Sequence, residues 1–86
     1  MAELMNIGFG NLVHTAKMVA VIAPDSAPAK RLVQKAKQDG SAVDATQGRK
    51  TRSIIIMEQG IVVLSALGPD TLAGRFHGLA EGRKEE

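Results

Sequence analysis

The chain has 86 residues, a length that accommodates a single domain. Its 11 Lys and Arg residues exceed its 9 Asp and Glu residues, and the net charge of +2 permits a nucleic-acid partner without requiring one. Cysteine is absent, which excludes disulfide scaffolds, zinc ribbons and thiol catalysis. No apolar run approaches the roughly 20 residues that cross a bilayer, and the first four residues are acidic where a signal peptide is basic. We therefore expect a soluble protein of the cytoplasm with no membrane partner.

The first half of the chain contains two predicted strands and the clearest helix. Residues 4–9 alternate loosely and end in a glycine cluster, which indicates a short strand and a tight turn. Residues 18–23 form a continuous apolar run closed by a proline, which is typical of a buried strand. Asp25 and Ser26 offer capping oxygens for a helix that ends at Gly40. One face of this helix carries an apolar stripe of Ala29, Leu32, Val33 and Ala36.

The second half begins with a polar loop over residues 46–52. Two apolar runs, residues 54–57 and 61–64, are separated by Glu58-Gln59-Gly60, a pattern that indicates a β-hairpin. Pro69 opens a short helix with three apolar residues predicted on one side: Leu72, Phe76 and Leu79.

These elements predict an α+β fold with a mainly antiparallel sheet, one central amphipathic helix and a short C-terminal helix. We expect one domain over residues 1–80. Residues 81–86 are mostly charged, and we expect them to form a disordered tail.

The aromatic content narrows the kinds of nucleic-acid binding that fit the sequence. Phe9 and Phe76 are the only aromatic residues, whereas proteins that bind single strands by stacking need several exposed rings. The core must consist of aliphatic side chains, and a domain of this size buries only about 60–70% of its unfolded surface. We therefore expect self-association as a way of burying more.

Positive charge is concentrated in the middle of the chain. Residues 30–52 carry seven Lys and Arg against two Asp, a net charge of +5, whereas the segments on either side are mildly acidic. Arg49, Lys50 and Arg52 lie together in the loop, directly before an apolar run. A strand entry gains nothing structurally from three like charges, which repel one another unless a polyanion neutralises them. We therefore predict a functional role for the loop. The cations of the central helix fit either a solvated face or a second basic surface.

Enzymatic sites find little support. Neither His14 nor His77 is next to a carboxylate in the sequence, and there is no cysteine to form a catalytic pair with them. Asp44 fits either a general base or a loop residue that bonds its own backbone. Gly8-Phe9-Gly10 resembles the start of a dinucleotide fingerprint, but Val13 stands where the third glycine belongs, so these glycines are better explained by a turn. We expect no enzyme activity, no cofactor and no metal site.

Several spaced motifs over residues 4–76 resemble one known family. They are Asn6-Ile7-Gly8-Phe9-Gly10-Asn11, Pro24-Asp25-Ser26-Ala27-Pro28 with Lys30-Arg31, Asp44-Ala45-Thr46, Gly48-Arg49 with Thr51-Arg52, Leu64-Ser65-Ala66 and Pro69-Asp70-Thr71. Together they resemble the RemA family, bacterial regulators of extracellular matrix (biofilm) genes. The resemblance implies a transcriptional regulator that binds double-stranded DNA without a cofactor. It also implies a ring-shaped homo-oligomer of about seven or eight subunits, located in the cytoplasm at the nucleoid.

The resemblance also implies which residues contact DNA. The family's DNA-contacting arginines correspond to Arg49, Lys50 and Lys17. Lysine replaces arginine at two of these positions, and Gln47 stands where the family commonly has tyrosine. Lysine keeps the attraction to phosphate but lacks the planar fork of arginine, so selectivity is affected more than affinity. We add secondary contacts from three further cations. Lys30 and Arg31 contact either phosphate or a neighbouring subunit, and Arg52 either compensates for the replaced arginines or is held in an intramolecular or intersubunit ion pair.

A second class of function is compatible with the same loop. In that alternative the protein is a non-enzymatic scaffold whose basic loop docks on an acidic protein or on RNA. Binding to an acidic protein would show one-to-one stoichiometry and a shallow dependence on salt.

Overall fold

The computed structural model describes residues 3–80, so the predicted disordered tail lies outside the described part of the chain. Its strands and helices in chain order are β1 (Leu4–Asn6), β2 (Leu12–His14), β3 (Met18–Ile22), α1 (Ala27–Asp39), β4 (Ala42–Asp44), β5 (Ser53–Met57), β6 (Val62–Ser65) and α2 (Pro69–Ala80). Two 3₁₀ turns lie at Thr15–Lys17 and Glu58–Gly60.

The main sheet has four strands in the order β3-β5-β6-β4. Strands β3, β5 and β6 are antiparallel neighbours, and β4 runs parallel to β6. The β5–β6 hairpin forms as predicted, with Gln59 and Gly60 both at positive φ in its connection. The predicted α+β class with a mainly antiparallel sheet is confirmed. The parallel edge strand β4 was not predicted, because three residues carry too little periodicity to reveal a strand.

A second sheet consists of the hairpin β1–β2, which has only two strands. Met5 and Val13 are paired across it and point inward, whereas Leu4 and Leu12 are exposed. The predicted short strand and the tight turn after it are both present, with β1 ending at Asn6, but the strand β2 into which the turn leads was not predicted.

Helix α1 covers one face of the main sheet. The Ala29 amide donates to Ser26 Oγ at 3.2 Å, and Gly40 closes the helix at φ 78°, so the predicted cap and stop are both confirmed. The predicted stripe packs onto the sheet through two buried alanines and two half-buried neighbours: Ala29, Ala36, Leu32 and Val33. Small residues bring the helix close to the apolar residues beneath it, namely Ile54, Val62 and Leu64.

Helix α2 and the β1–β2 hairpin cover the opposite face. Leu72 is fully buried against Ile55 and Val63, and Leu79 packs on the same cluster. Phe76 lies on the same side of α2 as Leu72, as predicted, and both line a groove beside β3, but Phe76 is 46% exposed. It lies over β3, and no strand within residues 3–80 pairs with the outer edge of β3 or covers the outer side of the ring.

Two buried serines bond the segments that follow β1 and β6 to the main sheet. Ser65 Oγ donates to the Ile7 carbonyl at 2.8 Å and accepts from the Leu67 amide at 3.0 Å. Ser53, its cross-strand partner, donates from Oγ to the Leu67 carbonyl at 2.6 Å. Because both hydroxyls are buried, these bonds satisfy backbone groups that water cannot reach.

We expect Ser65→Ala to destabilise the protein by about 2 kcal/mol, since it leaves the Ile7 carbonyl and the Leu67 amide without this partner. The shift of the urea-unfolding midpoint at unchanged slope measures the loss. Gln34→Ala, an exposed substitution on α1, is the control and should have little effect. Equal midpoints for the two variants would contradict the structural role of this hydroxyl.

Candidate nucleic-acid interface

The basic loop projects from the end of the main sheet where β4 and β6 finish. On one side of the loop the Ala45 amide donates to the Leu64 carbonyl at 2.9 Å. On the other side the Arg52 amide donates to the Ser65 carbonyl at 2.8 Å. Both ends of the loop are therefore attached to β6, and the residues between them are presented outward.

A tight turn shapes the first part of this loop. The Arg49 amide donates to the Thr46 carbonyl at 3.0 Å, and Gln47 and Gly48 both have positive φ, as in a type I′ turn. Asp44 Oδ1 accepts from the Thr46 amide at 2.9 Å and from Thr46 Oγ1 at 2.6 Å. Of the two roles considered for Asp44, the structure supports bonding within its own loop.

A second turn of the same kind stands beside it. The Asn11 amide donates to the Gly8 carbonyl at 3.0 Å, with Phe9 and Gly10 at positive φ between them. This confirms the prediction that the glycines serve a turn. The Asn11 side-chain amide donates to the same carbonyl at 3.0 Å and reaches the Ala45 carbonyl at 3.5 Å. Asn11 thus links the two turns, a role that the sequence did not reveal because the partners are 34 residues apart.

Arg49, Lys50 and Arg52 are all exposed on this surface. The guanidinium carbon of Arg49 lies 6.0 Å from the centroid of the Phe9 ring, at the outer range of a cation–π contact. Lys50 and Arg52 line a cleft of about 210 Å³ together with Asp25. None of the three cations forms an ion pair with another residue in the range 3–80, which leaves Arg52 without the intramolecular pair considered for it.

Lys17 lies at the other end of the sheet. It directly precedes Met18, which pairs with Met57, whereas the loop enters β5 at Ser53. Five residues of strand separate the two ends by roughly 17 Å. Lys17 Nζ is 4.0 Å from Glu58 Oε1, and both side chains are exposed, so this pair contributes little. The structure therefore does not bring Lys17 to the loop within one subunit.

Three further cations lie on the helices, Lys30 and Arg31 on α1 and Arg75 on α2. Lys30 lines a cleft that Thr51 also lines, whereas Arg31 is exposed beside it without lining that cleft. Arg75, which the sequence did not single out, donates from Nη1 to the Asn6 carbonyl at 3.0 Å. Asn6 Oδ1 accepts a hydrogen bond from the Gly8 amide at 2.7 Å, so Arg75 lies next to the turn that carries Phe9.

This arrangement has the chemistry of an anion-binding surface. Exposed guanidinium and ammonium groups on a braced loop attract phosphates. Within residues 3–80 no group of three His, Asp or Glu side chains is placed to hold a metal ion. Neither helix of the described segment is long and apolar enough to span a membrane.

The Asp44 bonds give stability a specific pH dependence. Hydrogen bonds from the Thr46 side chain and then its amide hold the pKa of Asp44 below its ordinary value of 3.8. A carboxyl whose pKa is lower in the folded state stabilises the fold above its ordinary pKa, and this contribution is lost as pH falls through the folded-state value. We expect the native protein to exceed Asp44→Asn in urea-unfolding midpoint at pH 7 and the gap to narrow below about pH 4. A gap that stays constant down to pH 2 would contradict this role.

A family model and a set of similar proteins both assign this chain to one family. The family model described as "RemA-like: Extracellular matrix regulatory protein A-like" matches residues 4–76. Three relatives have names that begin with "Putative regulatory protein". One from Lachnoclostridium phytofermentans is 56% identical over 90% of this chain and 85% of its own. One from Dictyoglomus thermophilum is 51% identical over 98% and 95%, and one from Geobacillus kaustophilus is 47% identical over 91% and 90%. This chain belongs to the RemA-like family.

Proposed function

We propose that this protein is a non-enzymatic transcriptional regulator that binds double-stranded DNA as a homo-oligomeric ring. The regulatory role is supported by the family and by the names of the relatives. DNA binding rests on one observation: Arg49, Lys50 and Arg52 are exposed, and without an ion pair among residues 3–80, on a loop attached to β6 at both ends. The regulated genes are those of the extracellular matrix, by family membership, and the protein acts at the nucleoid in the cytoplasm.

Duplex DNA fits this surface better than a single strand does. The described surface offers cations and no cluster of aromatic side chains, so phosphate contact dominates over base stacking. Lys50 supplies point charge, whereas Arg49 has the planar fork that binds a phosphate through two hydrogen bonds. Lys30 and Arg31 extend the positive surface along α1 as secondary contacts.

Oligomerisation supplies the affinity that one subunit lacks. A monomer of net charge +2 presents few cations, and a ring repeats them, so that many weak contacts act together. A curved array of such contacts also favours bent DNA, where deformability contributes to selectivity.

The edges of the main sheet are suitable for this assembly. Between β3 and α2 lies an apolar groove of about 440 Å³, lined by Val19 and Phe76 among others. Val19 occupies a bulge in β3 and is 65% exposed, and Val43 on the opposite edge strand is 52% exposed. Because the two edges of the sheet present different surfaces, they suit a head-to-tail contact between subunits, the kind of contact that closes into rings. Lys17 precedes β3, so in such a ring it borders the neighbouring subunit rather than its own loop.

Binding of a labelled duplex, followed by fluorescence anisotropy across a salt series, tests the DNA contact. Each phosphate contact contributes about −0.9 to the slope of log affinity against log salt. For the native protein we expect a slope of several units. Arg49→Ala and Lys50→Ala should each show a slope of smaller magnitude and an affinity at least tenfold below that of the native protein.

Lys35→Ala is the matched control, because it removes the same charge from an exposed site on α1 where Lys35 pairs with Asp39 at 3.5 Å. Its affinity should stay within twofold of the native value. No binding at low salt would contradict the DNA proposal, and tighter binding of an RNA duplex or an acidic protein would favour the scaffold alternative.

Val19→Asp tests self-association. Because Val19 is exposed and sits in the bulge, the charge should leave the subunit folded but disrupt the apolar contact. Light scattering after size exclusion should show a native assembly of several 9.1 kDa chains and a smaller species for the variant. Leu4→Asp, at a comparably exposed site on β1, should leave the assembly intact. A monomeric native protein would contradict the ring, and an intact Val19→Asp assembly would contradict this interface.

A further inference from the structure

Phe9 adopts a conformation that folding alone does not favour. It lies in the left-handed region at φ 56°, where a bulky side chain is rare and Gly, Asn or Asp is favoured. The residue is also 51% exposed, in a chain with only two aromatic residues available for a core. A strained and exposed aromatic residue is thus maintained at the tip of a turn, which is typical of a functional position.

The contact that the ring does make is with Arg49. Its face lies 6.0 Å from the guanidinium carbon, and this guanidinium has no hydrogen bond or ion pair elsewhere in the described range. The ring therefore limits where a long, otherwise unattached side chain can point. The two turns that carry Phe9 and Arg49 are also joined, because the Asn11 side-chain amide donates a hydrogen bond to the Ala45 carbonyl.

The turn that carries Phe9 is held from its other side as well. The Gly8 amide donates to Asn6 Oδ1 at 2.7 Å, and Arg75 donates to the Asn6 carbonyl at 3.0 Å. Gly8 also lies against Leu67, to which a Cβ at its position would approach within 3.4 Å. The Phe9 backbone is therefore fixed relative to the sheet, which makes the ring a stable platform.

We propose that Phe9 is a positioning residue for DNA binding, holding the Arg49 guanidinium over its ring so that the guanidinium meets a backbone phosphate in a preset orientation. This inference rests on the proposed DNA-binding function and adds a residue to it. Positioning lowers the conformational freedom that Arg49 loses when the phosphate binds. Phe9 acts through Arg49, so its effect must disappear when Arg49 is absent.

Phe9→Asn separates this role from a structural one. Asparagine tolerates positive φ, so the variant should have a thermal midpoint equal to or above that of the native protein. Its affinity for a labelled DNA duplex should nevertheless fall at least threefold. Phe9→Leu keeps an apolar side chain without the π face and should fall similarly, whereas Phe9→Trp should bind at least as well as the native protein. A purely structural role predicts instead that binding and thermal stability fall together.

A double-mutant cycle completes the test. In an Arg49→Ala background, Phe9→Asn should reduce affinity no further. Leu4→Asn, an exposed change on the same hairpin, is the control and should bind like the native protein. If Arg49→Ala loses binding but Phe9→Asn does not, or if the two losses are additive, the inference is overturned while DNA binding stands. If the native protein fails to bind the duplex at low salt, the proposed function falls and the inference with it.

Discussion

The rest of the structure depends on burying β5 and β6 on both faces. Alternate residues of β5 supply the two cores: Ile54 faces α1, and Ile55 faces α2 and the β1–β2 hairpin. Two covering layers must therefore come from a chain of 86 residues. On one face the covering layer is α1, whose alanines keep it close to the sheet. On the other face the covering layer is α2 together with the β1–β2 hairpin. Within residues 3–80 no further strand pairs with the outer edge of β3, and Val19 and Phe76 stay exposed there.

The covering of both faces of the sheet also explains where the basic surface lies. With both faces covered, the ends of the sheet are where loops can project, and the loop after β4 is fastened there by Leu64 and Ser65. The β1–β2 hairpin is joined to the sheet by the Ser65 hydroxyl, which brings its turn to the same end. The hydrogen bonds that satisfy the core also bring Phe9 and Arg49 together.

The sequence predicted the features that local chemistry encodes. The cap and stripe of α1, the β5–β6 hairpin and the clustered charge of the loop are contiguous patterns, and the structure contains each of them. Strands of three residues, such as β2 and β4, carry too little periodicity to be recognised. Contacts between distant residues, such as Asn11 with Ala45, leave no local signal. The distance between Lys17 and the loop likewise follows from strand register, which no charge count contains.

Three turns within residues 3–80 share one backbone feature, in which a residue with a side chain and the glycine after it both adopt positive φ. The pairs are Phe9-Gly10, Gln47-Gly48 and Gln59-Gly60. In each pair the glycine takes one of the two positive φ angles without steric cost, so the preceding residue can vary in chemistry while the strands stay in register. The strand register is therefore independent of the chemistry of the residue at the tip of each turn. An aromatic ring or an amide can be exchanged at a tip as an adjustment of recognition alone, at a cost confined to a single backbone angle.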